Sequence, residues 1–273
     1  LVVAVGGGTI GDLAGFFASI WMRGVDWVPV ATTTLSIADS AVGGKTAVDW
    51  AGLKNQIGTF HDPTRVLAVE EALVTLPVRH YRAGLAEVVK SAVIADARLL
   101  ALLEREVDVL RSRECGRLLE MLARASRIKA SIVSRDPRER GIRAWLNFGH
   151  TVGHALESTH RPRLLHGEAV AAGMIAACWL SERLVAAPSG TTDRIVELLR
   201  RMGTLRTLSS LDDGALRAAM AADKKSRQGR LRVVLTPRIG VATVADFPPA
   251  PLMRQAVQQM RRRCPRRTEG NDR

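Results

Sequence analysis

Aromatic side chains are scarce in this chain: five Trp, five Phe and one Tyr make up 4% of 273 residues. Alanine, leucine and valine must therefore fill the core, and at this length one or two domains can form around it. Cysteine is scarcer still. Cys115, Cys178 and Cys264 are odd in number and lack CxxC spacing, which argues against a disulfide framework and for a reduced, cytoplasmic setting. No apolar run approaches the roughly 20 residues that span a bilayer, and no secretory signal is visible. The longest apolar stretch, AVAAGMIAACWL (169–180), is broken by small residues and reads as a buried helix.

Acidic residues are also in short supply, 27 against 40 Lys and Arg, for a net charge of +13 and a pI near 10.9. A nucleic-acid binder would gather that charge into a basic stripe or a recognition motif, and neither is present. The arginines are scattered except in RRRCPRRTEGNDR (261–273), expected to be a disordered, solvated tail. An anionic small-molecule substrate drawn in by a positive field suits this pattern better.

What is present begins at once. LVVAV reads as a buried strand of a parallel sheet, Gly6–Gly7–Gly8 as a tight turn, and a helix is expected from Ile10 or Gly11. A helix start there would aim its N–H groups at a phosphate. A sheet that opens at residue 1 suggests that earlier strands are missing. DWVPVATT fits a second strand, with Thr32 and Thr33 at its end, where α/β sheets meet ligands. ADSAVGGKT places Asp39, Gly43, Gly44 and Lys45 in one loop suited to gripping phosphate, although its spacing is not that of a Walker A loop. LKNQIG adds Lys54 and Asn55, and RVLAVEEALVTLP supplies another strand before a turn at Pro77.

Beyond residue 78 the apolar spacing turns helical, in six segments from YRAGLAEVVKSAVIAD to TTDRIVELLRRMG. LRVVLTP and GVATVAD read as a late hairpin around Arg238–Gly240. The fold class expected is α/β plus all-α. A truncated Rossmann-like nucleotide-binding part (1–77) precedes a helical metal- and substrate-binding domain (78–260), and the basic tail (261–273) follows.

Three of the six histidines, His150, His154 and His166, fall within seventeen residues. With Glu87 they offer the nitrogen and oxygen donors that a catalytic divalent ion uses. Taken singly, a helical histidine is more often packed or solvated than ligating. From spacing alone, the i, i+4 pair His150 and His154 would be co-ligands on one helix face.

These stretches, together with GGGTIGDLAGF, TTTLSIADSAVGGKTAV, RIKASIV, RERGIRAWLNFGHTVGHALE, LHGEAV and DKKSRQG, closely resemble the dehydroquinate synthase family from residue 1 to about residue 245. The resemblance implies an NAD- and divalent-metal-dependent (zinc or cobalt) lyase of the shikimate pathway. In that family a seven-carbon sugar-acid phosphate is oxidised by NAD, loses phosphate, is reduced again and closes by an aldol step. The metal would be held by Glu87, His150 and His166, which leaves His154 as a proton-transfer group. Lys45, Asn55, Arg23 and Lys224 would meet phosphate, with Arg23 acting across a homodimer interface. Lys129 and Arg143 would meet the substrate carboxylate. Asp39, Lys90 and Asn147 would hold sugar hydroxyls, and Glu139 would order a water.

For NAD, the resemblance implies Gly8, Thr9, Ile10, Gly11 and Asp12 at the pyrophosphate turn, with Thr32, Thr33, Lys45, Lys54 and Thr75 nearby. Relatives carry a further sheet's worth of residues before the GGG turn, and they differ at VRH (78–80). Other sugar-phosphate cyclases, making valiolone- or inosose-type products, are the nearest alternatives. Their substrates lack the carboxylate, so the residues that bind it change. Iron- or zinc-dependent polyol dehydrogenases share the architecture but do not need the phosphate grips, and an inactive remnant is the remaining alternative.

Overall fold

The computed structural model describes residues 1–51, 53–113, 116–160, 163–208, 212, 214–216, 218–220 and 232–265. It divides into two compact units, Leu1–Val88 with Asp108–Arg143, and Val89–Val107 with Ala144–Arg273.

In the first unit β1 (Val2–Gly6) leads through Gly7 into α1 (Gly8–Ile20) and then to β2 (Trp27–Ala31). β1 and β2 are parallel, in register from Val2 opposite Trp27 to Gly6 opposite Ala31, and the two-residue β5 (Leu67–Ala68) adds to β2. Ala4, Ala18 and Trp27 form a small buried core that also gathers Val2, Ala14 and Val25. Gly15 lets α1 approach that core, since a Cβ there would sit 2.8 Å from the Trp27 ring. Two readings of this region are corrected. The helix begins at Gly8, not at Ile10 or Gly11, and β1 is not buried throughout, because Val3 and Val5 are 57% and 64% exposed.

β3 (Lys45–Trp50) and β4 (Leu53–Phe60) make an antiparallel hairpin with a register shift between Val48 and Trp50. Asp39 and Lys45 therefore do not share one loop: Asp39 stands in a π-helical turn (Ser36–Ser40), whereas Lys45 opens β3. Lys54 and Asn55 lie on β4. The stretch after β5 forms a short helix, α2 (Ala72–Thr75), before Pro77. α3 (Val78–Ala95) follows. Its first half is tied down by the Tyr81 hydroxyl, which donates to the Leu110 carbonyl at 2.7 Å. α6 (Arg117–Arg135) packs against the π-helical turn.

The second unit is helical. α3 enters it unbroken after Val88 and is followed by α4 (Ala97–Arg105), whose start Asp96 caps by accepting the Leu99 N–H at 3.0 Å. Val107–Ser112 is a separate helix, α5, which belongs to the first unit from Asp108 on. α7 (His150–Thr159) and α8 (His166–Leu184) then pack side by side. Residues Gly167–Ser181 of α8 are all buried, as the apolar stretch 169–180 led us to expect. α9 (Thr191–Arg201), the hairpin of β6 (Arg232–Arg238) with β7 (Val241–Asp246), and α10 (Ala250–Arg263) complete the unit. The basic segment read as a disordered tail from 261 is helical through Arg263; residues 266–273 lie outside those described. Among the described residues no helix is long and apolar enough to cross a membrane.

Candidate metal and substrate site

α7 begins at His150 because Gly149 turns the chain with φ +79°, where a side chain would be strained. His150 and His154 lie one turn apart with ring centroids 5.0 Å apart, edge to face. α8 begins with His166, whose ring is 5.3 Å from that of His150 and 6.1 Å from that of His154. His150 is buried, His166 half-buried and His154 exposed. The Nδ1 of His150 lies 3.1 Å from the Phe148 carbonyl. As an N–H donor there, it leaves the ring lone pair on Nε2.

Glu87 is fully buried on α3, one residue before the division, on the same unbroken helix that carries the buried Lys90 one turn later. Glu87, His150 and His166 each present one ligand atom, all within 4.8 Å of one another. Two imidazoles and one carboxylate, buried or half-buried, fit a tetrahedral divalent ion with one position left open. The expectation from spacing alone, with His150 and His154 as co-ligands, is corrected: His154 is not in this set.

A second group of side chains lies within the first unit. Lys129 on α6 pairs with Asp39, Nζ to Oδ2 at 2.9 Å, and also donates to the Asp39 carbonyl. The buried Arg143 donates from Nη2 to the Gly43 carbonyl at 2.6 Å and from Nη1 to the Pro137 carbonyl. Gly43 has φ +107°, and a Cβ there would lie 3.0 Å from the Arg143 guanidinium and 3.6 Å from Lys129. Two cations thus converge on the Gly43 turn.

Asp136 fixes the chain before Arg143 by accepting N–H bonds from Arg140, Gly141 and Arg143. The Arg140 and Arg143 amides, with the smaller help of Gly141 and the Arg143 charge, hold its carboxyl below the usual range. Lys45 pairs with Glu139. Asp12, the fifth residue of α1, is pushed up to about 6, mainly by burial; nearby Asp39 and Asp49 add to this and Lys129 opposes it.

The remaining residues singled out in the sequence are more dispersed. Gly8 and Gly11 are half-buried on α1, Thr9 and Ile10 are exposed there, and Thr32 and Thr33 follow β2 half-buried. Thr33 and Ser36 hydroxyls bond each other at 2.8 Å. Lys54, Asn55, Thr75 and Arg23 are exposed; Asn55 and Arg23 have φ of +52° and +69°. Asn147 ends a 3₁₀ turn (Ile142–Asn147). Lys224 lies outside the described residues. The sequence reading passed over Glu157, which is buried on α7 with Oε2 3.3 Å from His166 Nδ1. Its spacing of seven from His150, two helical turns, was the available signal.

Residues 1–83 match the family model for the 3-dehydroquinate synthase N-terminal region, and residues 84–226 match that for its C-terminal region. The 3-dehydroquinate synthase of Nostoc punctiforme is 45% identical over 263 residues, covering 95% of this chain and 72% of the relative. That of Halorhodospira halophila is 46% identical over 253 residues, covering 92% and 72%. Among solved structures, a 2-epi-5-epi-valiolone synthase from Streptomyces hygroscopicus subsp. jinggangensis, with NAD+ and Zn2+ bound, superposes with a TM-score of 0.86 at 30% identity, covering 96% of this chain and 73% of its own. A 2-deoxy-scyllo-inosose synthase complexed with carbaglucose-6-phosphate, NAD+ and Co2+ gives 0.84 at 28% identity, covering 94% and 73%. The glycerol dehydrogenase of Schizosaccharomyces pombe, at 15% identity and a TM-score of 0.65, shares the fold alone. With both family regions matched in order across residues 1–226, and relatives of one activity near 45% identity along almost all of its length, the chain belongs to the 3-dehydroquinate synthase family.

Proposed function

We infer that this chain is a lyase that converts 3-deoxy-D-arabino-heptulosonate 7-phosphate to 3-dehydroquinate and phosphate. One observation carries the reading: two imidazoles and a carboxylate offer ligand atoms within 4.8 Å in a chain 45% identical to a 3-dehydroquinate synthase over 95% of its length. The solved relatives that bind NAD+ with Zn2+ or Co2+ support the same cofactors here. When bound, a divalent ion supplies Lewis acidity that polarises an alcohol oxygen, and NAD accepts and returns a hydride. Glu87, His150 and His166 would hold the ion.

The other roles belong to the chain's own side chains. His154, exposed beside the two histidine ligands, can carry a proton because imidazole titrates near neutrality. Lys129 and Arg143, converging on Gly43, suit a substrate carboxylate. Lys45, Asn55, Arg23 and Lys224 are assigned to phosphate, and Asp39, Lys90 and Asn147 to hydroxyls. Glu139, paired with Lys45, is assigned to ordering a water.

The N-terminus of α1, from Gly8 to Asp12, would receive the dinucleotide pyrophosphate, with the N–H groups ahead of Gly11 as donors because the Gly11 N–H already donates to the Gly7 carbonyl. Thr32, Thr33, Lys45, Lys54 and Thr75 are assigned to the rest of NAD. In this reading residues 1–77 are the nucleotide-binding part and 78–260 the metal- and substrate-binding part. We also read the protein as a cytoplasmic homodimer, for which a sedimentation mass of twice 29.6 kDa is the check.

The test is phosphate release by the purified chain given the heptulosonate phosphate, NAD and Co2+. Phosphate and dehydroquinate should form in equal amounts and should fail to form without NAD. No phosphate with all three present overturns the reading. Release from a phosphosugar without a carboxylate, and not from this one, would favour the valiolone- or inosose-type cyclases instead.

A further inference from the structure

Glu157 takes no part in the roles assigned above, yet it is a carboxylate placed where burial is costly. Its side chain is 8% exposed, and Oε2 lies 3.3 Å from Nδ1 of His166. It follows His150 by seven residues on α7, so both side chains leave the helix on one face, toward the start of α8. The other buried acid near that start, Glu168, has a different task. It accepts the Leu165 N–H at 2.8 Å, closing the first turn of α8, and faces Arg206 at 3.5 Å. Glu157 is the carboxylate that meets the imidazole.

The two histidines are therefore held in the same manner. His150 is fixed through Nδ1 by the Phe148 carbonyl, and His166 through Nδ1 by the Glu157 carboxylate. A proton kept on Nδ1 leaves the lone pair on Nε2, the state in which a neutral imidazole binds a divalent ion. A carbonyl fixes the tautomer only. A carboxylate also stabilises positive charge on the ring and so strengthens Nε2 as a donor.

We propose that Glu157 is a positioning residue for the metal site: it holds His166 in the Nδ1–H tautomer and makes its Nε2 the more basic of the two imidazole donors. The proposal rests on the metal-binding reading given above.

Cobalt binding by the full chain tests it without reference to activity. Co2+ is titrated against a competing chelator, and its d–d absorption is recorded, for wild type, His166→Ala, Glu157→Gln and Glu157→Leu. His166→Ala should lose tight binding. Glu157→Gln, which keeps shape and a neutral acceptor, should bind about tenfold more weakly, and Glu157→Leu up to about a hundredfold. The cobalt bands should shift in the Gln variant while its metal-free melting curve stays near that of wild type. Should the Leu variant fail to fold, the Gln variant decides. Wild-type affinity and spectrum in Glu157→Gln, with His166→Ala defective, overturn the role of Glu157. A wild-type protein that takes no cobalt instead overturns the metal reading, and this proposal with it.

Discussion

Asp12 carries a carboxyl pushed up to about 6, with burial as the main cause and Asp39 and Asp49 adding to it. A carboxyl raised on folding favours the folded state fully below its unfolded pKa of about 4, and that contribution is lost as pH rises through about 6. Asp12→Asn should therefore raise stability by no more than about 0.5 kcal/mol at pH 4 and by about 2–3 kcal/mol at pH 7.5, measured by urea unfolding at both pH values. Equal effects at the two would contradict the burial account. Lys129 makes a different prediction: Lys129→Ala should raise KM for the heptulosonate phosphate at least tenfold while KM for NAD moves little, read from steady-state kinetics. Equal shifts in both would argue against a carboxylate contact.

At this scale the sequence was informative where residue type sets chemistry. His150, His166 and Glu87 stand out as donors by type, but i, i+4 spacing favoured His154 over His166. Only tertiary packing brings the first residue of α8 beside the first residue of α7. Glu157 is the harder case: a helical glutamate is ordinarily solvated, and its spacing of seven from His150 puts it on the histidine face without marking it as buried.

Among elements, the pair α7 and α8 sets the histidine geometry, and it depends on glycine. A Cβ on Gly173 would run into the Gly149 carbonyl and lie 2.9 Å from the Gly153 N, so the helices touch backbone to backbone there. Gly173→Ala should cost about 1–3 kcal/mol by overpacking. It should also weaken Co2+ binding, because His150 and His166 sit on the two helices being separated. A melting curve and a cobalt titration check both, and an unchanged cobalt affinity would detach the site from this contact.

The helices were legible because their apolar periods are long, and α8 was read as buried from AVAAGMIAACWL alone. The β3–β4 hairpin was not. Its turn lacks an Asn-Gly or Asp-Gly pair, Ala51 takes φ +50°, and the register shift after Val48 breaks the alternation. The π-helical turn at Ser36–Ser40 looked like loop because Ser and Asp favour turns. Gly8 likewise concealed the true start of α1, since glycine is a poor helix former.

For the molecule as a whole, the net charge of +13 bears on the approach of an anionic substrate. kcat/KM should fall as NaCl rises from 20 to about 200 mM, with kcat nearly constant, because the Debye length shrinks over that range. A flat profile in a stopped-time phosphate assay would show that the charge does not steer this substrate. The α/β-then-helical order was plain in the change of periodicity near residue 78. The packing of helix 117–135 on the π-helical turn was not, since it depends on contacts far apart in sequence such as Lys129 with Asp39.

The most direct measurement is X-ray anomalous scattering at the cobalt edge from crystals of the full chain grown with Co2+. The account predicts one strong peak per chain, with a Glu87 oxygen and one nitrogen each from His150 and His166 as its protein ligands. A peak bound by His150 and His154 without Glu87, or no peak at these residues, would contradict it.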